Sequence, residues 1–161
     1  MKELKYVEGD VRKPVGEGNK IICHIVNDQG CMGSGVARSL YEKWPQVREQ
    51  YMKWSDISNV RSESFTLGAI QLVSVDSDIA VINMVAQHMV GTDENGYPPI
   101  RYDALINCFR GINKYIVAES IHIPYKMGAD RAGGDWDIIE KIIKNELCYK
   151  DIDVTVYKWK G

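Results

Sequence analysis

Apolar residues occur along the chain in two kinds of stretch. Nearly continuous runs, "KIICHIVN" at 20–27 and "IAVINMVAQ" at 79–87, suit strands covered on both faces. Shorter runs at 4–7 ("LKYV"), 69–75 ("AIQLVSV"), 120–124 ("SIHIP") and 151–159 ("DIDVTVYKW") predict further strands. The other kind has helical spacing: Val36, Leu40 and Trp44; then Leu105, Cys108, Phe109, Ile112 and Ile116; then Ile139, Ile142 and Ile143. Pro45 interrupts the first of these helices, and a further helix is predicted over residues 45–54. Asp76-Ser77-Asp78 turns one strand into the next, and "HMVGTDENGYPP" is a long polar loop. Strands alternating with helices predict an α/β domain of three layers, α/β/α, around a central mixed sheet, with residues 1–161 as one domain.

Composition narrows the partners more than the fold. The 161 residues are 45% hydrophobic and 26% charged, with a formal net charge of -2. Nothing in that balance favours duplex nucleic acid, which binds basic surfaces. The opening "MKELKYVEGD" lacks the apolar stretch of a signal peptide, and no window approaches the ~18 apolar residues of a membrane helix. The chain is therefore expected in the cytoplasm, as a monomer. Cys23, Cys31, Cys108 and Cys148 form no paired spacing, and His24, His88 and His122 are scattered, so no metal and no cofactor are expected.

The chemistry concentrates in two glycine-bearing loops, each between a predicted strand and a predicted helix. The first runs from Asn27 to Gly35 ("NDQGCMGSG") and the second is "KMGADRAGGDW" at 126–136. In α/β sheets ligands bind beyond the carboxyl ends of strands. Glycine allows the main chain to approach a ligand, and a helix N-terminus adds free amide donors. Two such loops side by side could clamp a diphosphate. Neither is a Walker motif, and "GCMGSG" does not follow the GxGxxG order.

Four blocks in order, "VEGD", "IICHIVNDQGCMGSGVARSL", "VINMVAQ" and "IPYKMGADRAGGDWDIIEKII", resemble the macro domain. The likeness spans almost the whole chain. It is nearest the branch of terminal ADP-ribose protein glycohydrolase and the ADP-ribose-1''-phosphate processing proteins of yeast and phages. The resemblance implies ADP-ribose, free or attached to a macromolecule, as ligand. It places Asp10 on the adenine amino group with Val11 beside it. Gly33, Ser34, Gly35 and Val36 fall on the loop that meets the diphosphate and distal ribose, and Met127, Gly128, Ala129 and Arg131 on the second phosphate loop. Asn27 matches a position near the distal ribose, and Tyr157 could approach the adenine.

Asp130 matches the catalytic aspartate of the glycohydrolase, a general base beside the anomeric carbon. Its other reading is a partner for Arg131 or a cap for the next helix. His24 is a second, minor acid/base candidate, and its other reading is a core histidine; Asp10 also suits a plain turn, Asn27 a strand-closing backbone bond and Tyr157 ordinary packing. The glycohydrolase lysine that forms a covalent adduct has Gln87 in its place here. Glutamine forms no Schiff base, so the implied chemistry is direct water attack on an ADP-ribose derivative, at an anomeric bond or a 1''-phosphate. The alternative is a module that binds ADP-ribose without turnover.

Overall fold

The computed structural model describes residues 2–61, 65–92, 95–148 and 151–159. Asp93 and Glu94 of the predicted polar loop lie outside them. Ten elements follow one another among the described residues: β1 (Lys5–Glu8), β2 (Lys20–Asn27), α1 (Gly35–Lys43), α2 (Gln46–Arg61), β3 (Ile70–Ser74), β4 (Ile79–Gln87), α3 (Tyr102–Tyr115), β5 (Ser120–Pro124), α4 (Trp136–Glu146) and β6 (Asp153–Lys158). The strands form one sheet in the order β1-β6-β5-β2-β4-β3. All neighbouring pairs are parallel except β3 with β4. The hairpin around Asp76–Asp78 makes that pair antiparallel, because only a short turn separates the two runs.

Alternation within β2 sorts its side chains between two cores. Ile21 and Cys23 face α3 and α4 together with Ile82, Met84, Ile121 and Ile123. Ile22 and Val26 face α1 and α2, packing with Leu40, Trp44, Val47 and Tyr51. A sheet buried on both faces explains why "KIICHIVN" reads as a nearly unbroken apolar run. From β2 the chain moves through α1, α2 and β3 to β4 on one side, while β5 and β6 lie on the other. The order therefore reverses between β2 and β5, and a crevice opens above their carboxyl ends. No helix among the described residues is long and apolar enough to cross a membrane.

The helix predicted over 45–54 extends to Arg61. Pro45 sits in the break before it, where a missing N–H costs nothing. Val36, predicted on the buried face of α1, is 37% exposed because that first turn borders the crevice rather than the core.

Candidate functional site

The crevice is a cleft of about 310 Å³, at the small end of ordinary ligand sites. Its floor comes from His24 to Asn27 at the end of β2 and from Pro124 at the end of β5. One wall is the loop from Cys31 into α1, and the facing wall is the segment Lys126–Ala132. Gln87, Val90 and Gly91 border it beyond β4.

Of the residues singled out from the sequence, His24, Asn27, Gly33, Ser34, Gly35, Val36, Gln87, Met127, Gly128, Asp130 and Arg131 all border this cleft. Asp10, Val11, Ala129 and Tyr157 do not. Val11 and Tyr157 are buried in the core beneath α1. Asp10 follows β1 and is held by Arg12, whose Nε lies 3.0 Å from both carboxylate oxygens and whose Nη2 lies 2.7 Å from one. Burial would raise the Asp10 carboxyl pKa, but the bonds from Arg12 outweigh it and hold the group below its ordinary range. The Arg12 guanidinium in turn lies over the exposed Trp159 ring, 4.6 Å from its centroid.

The first loop is shaped by Asn27. Its Oδ1 accepts from the amides of Gln29 (3.0 Å) and Cys31 (3.3 Å) and lies 2.8 Å from the Tyr51 hydroxyl, while its amide nitrogen donates to the Cys31 carbonyl at 2.6 Å. The side chain is 8% exposed and all its polar atoms serve the loop. The backbone of the cleft wall is thus set by one buried amide. Tyr51 carries no sequence signal for this task, since an aromatic in a helix reads as core.

α1 begins without a cap. The Ser34 side chain makes no capping bond, the first turn holds no acidic residue, and among the described residues the amides of Gly33 through Ala37 have no backbone acceptor. Gly35 has φ +63°, which an ordinary residue adopts only under strain, and a Cβ there would meet nothing within 4 Å. The wall is therefore a row of open amide donors at the positive end of a helix.

The second loop differs from that expectation. α4 is capped: Asp135 accepts from the Asp137 amide at 2.9 Å, and Asp137 adds a second carboxylate to the first turn. Any anion contact on this side comes from loop amides, those of Gly128, Asp130 and Arg131 having no backbone acceptor, and not from the helix end. Gly128 has φ +77°, and a Cβ would come within 2.9 Å of Ile25 Cδ1 and 3.0 Å of Ile100 Cδ1, so the loop lies tight against the sheet. The Asp130 side chain is exposed in the cleft and makes no hydrogen bond or ion pair among the described residues. The two structural roles open to it, pairing with Arg131 and capping α4, are not the ones it takes.

No protein-family model matches the chain. A solved structure of a protein of unknown function from Bacteroides thetaiotaomicron is 43% identical, with a TM-score of 0.90, over 96% of this chain and 97% of the other. A macrodomain protein from Streptomyces coelicolor is 34% identical, with a TM-score of 0.80, over 97% of this chain and 99% of that one. The chain belongs to the macrodomain family. Thermosipho africanus DarTG, solved in complex with ADP-ribose, shares the macrodomain fold at a TM-score of 0.75 and 16% identity, over 98% of this chain and 42% of its own.

Two histidines of this macrodomain are buried and neutral. His24 hydrogen-bonds through Nε2 to Oδ1 of Asn83, and burial lowers its pKa to about 4. His122 lies in a chain of hydrogen bonds. The Tyr157 hydroxyl accepts from the Val15 amide at 2.9 Å and lies 2.6 Å from His122 Nδ1, and His122 Nε2 lies 2.7 Å from Ser120 Oγ. Burial first, and the charge of Lys20 second, lower His122 to about 4. Tyr157 thus ties the segment before β2 to the sheet.

A clamp absent from the sequence analysis joins the first loop to the segment that follows β4. Asp28 accepts from His88 Nδ1 at 2.7 Å, from the Met89 amide at 2.9 Å and from Gln29 Nε2 at 2.9 Å. Met89 has φ +62°, rare for a residue with a side chain, and the clamp holds it there. Lys126, bordering the cleft, has φ +61°. Left-handed positions that are not glycine have no signature in a sequence.

Proposed function

We propose that this macrodomain binds ADP-ribose in the cleft and hydrolyses an ADP-ribose derivative at the distal ribose. The observation that carries the reading is the pairing of an uncapped α1 N-terminus with an unengaged carboxylate, Asp130, across one cleft. Open amides at a helix N-terminus suit a diphosphate. A carboxylate on the opposite wall suits the sugar beyond it. The complex of Thermosipho africanus DarTG with ADP-ribose, on the same fold, supports the ligand class. The sequence blocks support the branch of ADP-ribose glycohydrolases and 1''-phosphate processing proteins.

In this reading Asp130 accepts a proton from water as the water oxygen bonds to the anomeric carbon. The bond from that carbon to the leaving oxygen breaks, and the leaving group takes the electron pair. An acyl carboxylate and a phosphate both depart as stable anions, so neither needs an acid. Gln87 borders the cleft where a covalent mechanism needs an amine, which favours water as the nucleophile. Asp10, outside the cleft's lining, would meet the adenine amino group with the lone pairs Arg12 leaves open. Gln87 also gives the second reading, a binding module without turnover, its one specific support.

Calorimetry with ADP-ribose tests binding, and product analysis on ADP-ribose-1''-phosphate and on ADP-ribosylated protein and nucleic acid tests turnover. Binding with release of ADP-ribose from one of these is expected. Binding without any product would leave the module, and no binding at millimolar ligand would remove both.

A further inference from the structure

Resting on that reading of the cleft, we propose that His24 is a positioning residue whose Nδ1 accepts a hydrogen bond from an O–H group at the cleft floor, either a ribose hydroxyl of the ligand or a resident water that bridges to it. The argument begins with Asn83. Its amide nitrogen donates to the Val47 carbonyl at 3.3 Å and to Gln71 Oε1 at 3.0 Å, which turns its oxygen toward His24. Because that oxygen can only accept, Nε2 of His24 carries the ring proton. The other nitrogen, Nδ1, is then a bare acceptor. It is buried, in a residue 1% exposed, and has no hydrogen-bond partner among the described residues.

The two nitrogens lie on opposite flanks of an imidazole. Nε2 is occupied by Asn83 on β4, and His24 borders the cleft floor together with Pro124, so the cleft is where a partner for Nδ1 can enter. Buried polar atoms without partners are rare in folded proteins, and an acceptor at the floor of a polar cleft calls for a donor. The neighbouring wall offers amides, which donate and are aimed at the cleft. A hydroxyl or water can accept from an amide and donate to Nδ1 at once, which an anion cannot do. Burial keeps the ring neutral, so Nδ1 has no proton to give, and the residue orients rather than acts as an acid.

Nitrogen NMR of protein labelled at histidine tests this at neutral pH, with and without ADP-ribose. The expected spectrum shows a protonated Nε2 and an Nδ1 resonance displaced from the bare acceptor value toward a hydrogen-bonded one. Displacement in the free protein marks a resident water, and displacement only with ADP-ribose marks the ligand. His24→Asn keeps an acceptor near the place of Nδ1, whereas His24→Leu has none. Affinity for ADP-ribose should fall roughly 2–10-fold further in the leucine variant, the size of one net hydrogen bond. An unchanged ADP affinity assigns the donor to the distal ribose; a parallel loss for ADP assigns it to the resident water where the free protein already shows the displacement, and to the adenosine ribose where it does not. A bare Nδ1 in both states, or a protonated one, overturns the proposal. Should the protein bind no ADP-ribose, the function above fails, and the spectrum of the free protein alone decides His24.

Discussion

Asp130 is the residue on which the proposed chemistry turns. Asparagine keeps its shape and cannot take a proton at neutral pH. Asp130→Asn should therefore lower turnover by about 10²–10⁴ while ADP-ribose affinity, measured by calorimetry, stays within a few-fold. Borohydride added during turnover should trap no adduct; a trapped one would make an amine the nucleophile, with Lys126, on the same wall, the first to replace. The sequence alone left Asp130 between three roles, because a carboxylate beside an arginine and a helix looks the same in all of them. Space separates them: Asp135 takes the cap and Asp130 stays open. Asn27 went the other way. Its type fitted a ribose as well as a turn, and the structure commits every polar atom of its side chain to the loop.

Two helices begin at glycine-bearing loops, and their ends are built for different tasks. The cap of α4 holds its first turn together, so Asp135→Ala should cost about 0.5–2 kcal/mol of stability in urea denaturation. Ser34 caps nothing, and Ser34→Ala should change stability by less than about 0.5 kcal/mol. Equal losses would mean that the end of α1 is not open. Element positions were legible because the sheet is buried on both faces and each run keeps its period: β2 and β4 match their apolar runs residue for residue. The length of α2 was not, since much of its surface is polar and no proline or glycine ends it. The difference between the two helix starts was hidden as well. Ser34 and Asp135 are both residues that cap helices, and only the backbone decides which does.

At the scale of the molecule, two neutral histidines make the fold sensitive to acid. His24 and His122 titrate near 4 in the folded chain and near the ordinary 6.5 when unfolded. Between those values the unfolded state binds more protons, so stability rises with pH there. The contribution is complete above about pH 6.5 and lost as pH falls to about 4, on the order of 3 kcal/mol for each ring. Asp10 and Asp28, held below their usual range, lose theirs only at more acid pH. Urea denaturation followed from pH 7 to pH 4 should show the midpoint falling through that window; a flat response would mean that the rings are charged or exposed. The apolar setting of His24 was visible in its strand. The partners of His122 were not, because Tyr157 reaches it only when β5 meets β6, and Val15 joins from the segment before β2.

The outermost strand has one neighbour. β1 pairs with β6 alone, Lys5 beside Thr155, and the Gly9 amide donates to the Lys158 carbonyl at 2.9 Å. The first of the six described strands thus has no place in the sheet until the sixth has been made. A contact between such distant parts of a chain closes late and slowly. While it waits, the segment "KYVE" is short and carries a charge at each end, a poor template for pairing with other chains. Asp10 follows directly behind it. The corner of the molecule nearest that carboxylate is therefore assembled only once β6 exists, after both cleft loops, and no chain cut short before β6 can present the two together.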